Sequence, residues 1–188
     1  MAGLLQQLLD LFGGKVAKAA AKAVGTRTFS FPSVPQTVEE LKTLPEAALT
    51  DCYAVAALSS VALLRYEADP DGCFALLDFL KGPEPLSNME KSQIRDRMSG
   101  KGYKPRSFFA GATPENNYTP STPFTIRVAA NPYSFDNDGW ATLWLKSGGA
   151  DSERSVKLRK KPSTGQWFLN EIQYLSDIRL PVAEDKWA

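Results

Sequence analysis

Trp140-Ala-Thr-Leu-Trp-Leu-Lys146 decides the fold, because its side chains sort into two sets by position alone. Ala141, Leu143 and Leu145 make one small apolar row, while Trp140, Thr142, Trp144 and Lys146 make the other. Successive side chains of a strand point to opposite sides. The alternation therefore predicts a strand with one face in a core and two tryptophans on the other. Tryptophans that emerge this close together mark a surface that something covers: a ligand, a partner, or the protein's own helices. Cover by the chain's own N-terminal helix leads these readings, since that helix needs an apolar surface of its own.

Working outward, the stretch after Gly102 is punctuated by Pro105, Gly111, Pro114, Pro120 and Pro123 and reads as a long loop. Beyond it, β-branched and aromatic residues alternate with polar ones, which predicts four strands: 124–130, 140–146, 155–160 and 166–174. Pro162-Ser-Thr-Gly165 makes the turn between the last two, and Ser147-Gly-Gly149 begins the longer connection before them. Arg154, Lys157, Arg159, Lys160 and Lys161 gather on that hairpin beside Trp144 and Trp167, a combination compatible with phosphate contacts and base stacking. Lys157 and Arg159 alternate with Val156 and Leu158, however, so the plainer reading is a solvated charged face over an apolar one. A net charge of +1 also argues against nucleic acid.

Before Gly102 the pattern is helical. Thr37-Val-Glu-Glu40 and Ser87-Asn-Met-Glu90 have the capping-box form. Asp69-Pro70 supplies an N-cap and a first-turn proline, and Gly82-Pro83 closes the helix that follows. From Asp51 to Tyr66 the residues are apolar almost all round, which predicts a central buried helix. Helices first and an antiparallel meander afterwards give an α+β class, a helical N-terminal half packed on a C-terminal four-stranded antiparallel meander. The organisation expected is an amphipathic helix over residues 1–24, a linker or arm over 25–36 in which Phe29 and Phe31 anchor an extended stretch, and a single domain over 37–188.

The chain has 188 residues, ample for one core without disulfide or metal staples. It contains no histidine, which removes the usual general base near neutral pH, the commonest zinc ligand and every Ser-His or Cys-His pair. Asp136 and Asp138 flank a turn ending in Gly139, a common hairpin signal, and they read as a turn rather than as catalytic or calcium-binding acids. No phosphate-binding or dinucleotide fingerprint occurs. Cys52 and Cys73 lie in apolar helical segments and read as core packing. The expectation is a protein without enzymatic activity, metal or cofactor.

Leu4, Leu5, Leu8, Leu11 and Phe12 recur at helical spacing with Lys15, Lys18 and Lys22 beside them. Three roles stay open for this segment: packing on its own domain, insertion into a partner's groove, or peripheral contact with a lipid surface. It lacks the form of a secretory signal and no apolar run is long enough to span a membrane, so a cytoplasmic setting is expected.

Three stretches carry a resemblance: Phe79-Leu-Lys-Gly-Pro-Glu-Pro-Leu-Ser87, Tyr103 through Ser121, and Ser147-Gly-Gly-Ala-Asp-Ser152 with Gly165-Gln-Trp-Phe-Leu-Asn-Glu171. They are similar to a domain-of-unknown-function family of gut-dwelling Firmicutes. The resemblance implies an intracellular accessory protein with no assigned activity, cofactor or catalytic residue. Where that family reads Asp-Pro-Trp-Ala, this chain has Asp185-Lys-Trp-Ala188. The loop Gly111-Ala-Thr-Pro-Glu-Asn-Asn-Tyr118 is the part to inspect first, with Asn116, Asn117 and Tyr118 either binding a ligand or satisfying the loop's own backbone. The leading functional expectation is a non-enzymatic module that binds a protein partner or itself, with residues 1–24 as tether. The alternative is a small-molecule or glycan binder that stacks its ligand on Trp140, Trp144 and Trp167, with Lys157 and Arg159 nearby and residues 111–121 as anchors.

Overall fold

In the computed structural model, which describes residues 25–187, the strand at Trp140 has the sidedness its sequence predicts. Ala141, Leu143 and Leu145 are buried, whereas Trp140 is 37% exposed. One antiparallel sheet runs in chain order: β1 (Thr26–Phe31), β2 (Phe124–Ala129), β3 (Trp140–Leu145), β4 (Arg154–Lys160) and β5 (Trp167–Ile172).

The expectation of four strands is thereby corrected to five. Residues 26–31, set apart by sequence as part of an arm, pair with β2 along their length, from Thr26↔Ala129 to Phe31↔Phe124. The helical N-terminal half is corrected with it, because a strand precedes the described helices and joins the sheet from the far end of the chain. The physical reason is that an edge strand needs only one neighbour and one half-buried face. Its apolar side chains are Phe29 and Phe31 alone, and Pro32 follows at once. Arg27 takes the third position on that side, where it lies 4.5 Å from the Tyr53 ring centre and binds Asp51 at 2.6 Å.

The helices are α1 (Val38–Lys42), α2 (Cys52–Leu64), α3 (Pro70–Lys81), α4 (Asn88–Met98) and the single turn α5 (Tyr103–Arg106). Local chemistry sets their starts. Asp51 caps α2 by accepting from the Tyr53 N–H, Asp69 caps α3 by accepting from Gly72, and Ser87 with Glu90 completes a reciprocal capping box on α4. Every residue from Cys52 to Leu63 is buried. That is why α2 shows no polar face: it touches all five strands on one side and α3 on the other. Ser59, fully buried within it, donates to the Ala56 carbonyl and shares a 3.0 Å hydrogen bond with the buried Tyr174 hydroxyl. Turn α5 falls in the stretch read as loop. Pro105 within it is tolerated because first-turn N–H groups have no helical partner to lose.

Candidate functional site

The sheet's outer face is built by the alternation of β3. Trp140, Thr142 and Trp144 stand on it, opposite Arg159, Lys157 and Ser155 of β4. The Arg159 guanidinium sits 5.2 Å from the Trp140 ring centre and reaches Glu84 at 3.5 Å. Lys157 pairs with Glu171 at 3.0 Å, and the other Glu171 oxygen accepts from the Gln173 amide at 2.7 Å. Those two hydrogen bonds, Gln173's first and then Lys157's, hold the Glu171 carboxyl below its ordinary range. The two sequence-flagged cations of this face are thus already engaged with acids.

On the other flank, β2 pairs with β3 through Val128↔Leu145 and Ala129↔Trp144. Arg127 and Lys146 follow at the next positions on the outer side of those strands, and both line a cavity of about 270 Å³ with Thr28 and Thr125. Both side chains are exposed, and among the described residues no carboxylate forms an ion pair with either. On the same face the Trp144 indole Nε1 is buried and has no hydrogen-bond partner among the described residues. Like charges on neighbouring strands repel, and a buried unpaired donor costs about 1–3 kcal/mol. The two exposed cations suit a negatively charged group.

The other expected site residues lie elsewhere. Trp167 shares the inward side of β5 with buried Leu169 and packs against the rim of the core, its ring 5.8 Å from Lys160 Nζ. It is therefore no part of a three-tryptophan platform. Asn116 uses its whole amide within its own loop. Its Oδ1 accepts from the Thr113 and Thr119 N–H groups, and its Nδ2 donates to the Gly111 and Thr119 carbonyls. Asn117 and Tyr118 both have φ 53, a left-handed geometry that Asn tolerates. Tyr118 is buried, stacks on Tyr103 at 5.7 Å and donates to the Arg179 carbonyl. The loop is a structural knot. The expected tether residues Leu4, Leu5, Leu8, Leu11 and Phe12 lie outside the described residues.

Sequence reasoning passed over Arg127. Its place follows from the β2–β3 register, which sequence alone does not specify across a long connection. Among the described residues no group of three or more Cys, Asp or Glu side chains converges as metal ligands would, and no helix is long and apolar enough to cross a membrane. Cys52 and Cys73 are free, buried thiols.

No curated protein and no solved structure matches the chain. The model of one protein family, a domain of unknown function (DUF6935), matches residues 33–182, from the segment after β1 to the last 3-10 turn. A match over that much of the chain, enclosing four of the five strands and all the described helices, makes it a member of this family.

Proposed function

We propose that the domain is a non-enzymatic, intracellular interaction module that holds an acidic protein partner on the outer face of its sheet, around Trp144. One observation carries this: Arg127 and Lys146 line one cavity on that face, and no carboxylate among the described residues pairs with either. A carboxylate-bearing partner relieves the repulsion between them. Trp140 and Trp144 add aromatic area of the kind that dominates interface energetics. In this reading residues 1–24 tether the module or join two copies of it. The cytoplasmic setting enters through the free thiols Cys52 and Cys73 and through the sequence resemblance to proteins of gut Firmicutes. The small-molecule or glycan reading is the weaker one, because Asn116 is spent within its loop and Trp167 faces away from the other two indoles.

The test is crosslinking of the full-length protein in its native cells, followed by reconstitution with the partner recovered. Arg127→Glu with Lys146→Glu is expected to weaken that complex at least tenfold, while Lys161→Glu on the hairpin tip leaves it unchanged. Retention of wild-type affinity by the double reversal sinks the proposal.

A further inference from the structure

β5 ends the sheet, and the chain itself already uses one position on its open edge. The Trp167 N–H donates away from β4, to the Leu49 carbonyl that follows the Pro45–Ala48 turn, at 2.7 Å. Main-chain groups alternate between the two sides of a strand, so Leu169 is the next residue to face outward. The alternation then shifts, because Leu158 pairs with Leu169 and Lys157 with Glu171, leaving Asn170 as the extra residue of a bulge. The Asn170 carbonyl accepts from Lys81 Nζ at 3.0 Å. Farther on, the Gln173 N–H faces β4 and donates to the Ser155 carbonyl, which leaves Ile172 facing outward again. No other segment among the described residues pairs with Leu169 or Ile172 on that open side.

Helix α4 stands across from this edge. Glu90, Gln93, Ile94 and Arg97 have the spacing of a single helix face, and all four line a cavity of about 470 Å³ shared with β5. That volume is in the ~300–1,000 Å³ range of ligand sites. Its apolar lining is Leu86, Ile94, Leu169 and Leu175, all buried, with the half-buried Ile172. Lys81, 7% exposed, is spent on Glu90 at 2.8 Å and on the Asn170 carbonyl of the bulge. Arg97 stands roughly 10 Å along the helix from Glu90. It is exposed, with one N–H on the Ser176 hydroxyl at 2.7 Å, and Arg154 donates to the Ser176 carbonyl from the other side. The surplus charge at this end is positive. Burial first, then the charges of Lys101 and Arg97, lower the Lys104 ammonium from its ordinary range.

We infer that the groove between β5 and α4 takes an extended peptide as a sixth strand, pairing at Leu169 and Ile172, with an acidic side chain of the peptide on Arg97. Strand addition of this kind draws affinity from main-chain hydrogen bonds and specificity from pockets for alternate side chains. Here the pocket beside Ile94 and Leu86 takes an apolar residue, and Arg97 selects the acid.

The experiment pans a library of random heptapeptides on the full-length protein and on Arg97→Glu, an exposed substitution. The wild type is expected to enrich β-branched sequences carrying Asp or Glu. A synthetic copy of an enriched peptide should slow hydrogen exchange at the Leu169 and Ile172 amides at least tenfold. The Arg97→Glu protein should enrich Lys or Arg in that place. Enrichment no greater than on blank matrix overturns the inference. So does an enriched peptide that protects only amides of β2 and β3, which would place it on the Trp144 face, or one in which prolines at alternate positions leave binding unchanged.

Discussion

Cys52 occupies the first turn of α2, where helix-terminal N–H groups ordinarily favour a thiolate. Its surroundings reverse that tendency. Burial, reinforced by the nearby Asp51 charge, pushes the thiol up to about 12, and burial with the Asp69 charge does the same to Cys73. Neither sulfur is a nucleophile at neutral pH. With Ellman's reagent at pH 8, the native protein is expected to release no measurable thionitrobenzoate over an hour, and the denatured protein two equivalents. Rapid labelling of the native state would show that α2 or α3 opens locally. The inertness of these residues was legible in the sequence, because it depends only on an apolar neighbourhood. Asn116 was not legible in the same way, because its short amide in a turn-rich loop is as well suited to local backbone groups as to a ligand. Which of the two it serves depends on how the loop closes, and that is decided by Tyr118 burying its ring against Tyr103.

The boundaries of α1 to α4 were readable because caps are local: the Asp, Ser or Thr that opens each of them bonds an N–H two or three residues away. β1 and α5 were not, since each is held by partners far along the chain, β1 by residues 124–129. The connection between elements that sequence hides most completely is the one through Lys81. Its ammonium, at the end of α3, joins Glu90 of α4 to the bulge of β5. Burial alone would raise the Glu90 carboxyl, but hydrogen bonds from Lys81 and Ser87 outweigh it and hold the group below its ordinary value of 4.5. A depressed carboxyl contributes stability that is present above the unfolded value and is lost as the pH falls through the folded one. The urea midpoint of the wild type is therefore expected to drop more steeply below pH 4.5 than that of Glu90→Gln; parallel curves would refute the link. At pH 7, Lys81→Met is expected to cost about 2 kcal/mol, less than the ~3–5 kcal/mol of a fully buried pair because Glu90 is 37% exposed.

For the molecule as a whole, the sidedness of β3 was enough to foresee a one-sided core, since period-two alternation is a property of a single strand. The juxtaposition of Arg127, Lys146 and Trp144 was not foreseeable, because it arises from register between strands separated by a loop and a turn. A single helix that touches all five strands makes the sheet and the helical layer one cooperative unit. Leu58→Ala, at a fully buried site, is expected to lower stability by about 2–5 kcal/mol, with near- and far-ultraviolet dichroism melting together. Separate transitions would mean that the layers fold independently. The Leu49 carbonyl, bound to the first N–H of β5, has a consequence of its own. It acts as a fixed stop at one end of the strand, so a guest segment has to begin its ladder beyond that point. The host thus sets where the first rung falls before any guest side chain is read, and the edge behaves as a ruler of defined length rather than as an open template for indefinite stacking.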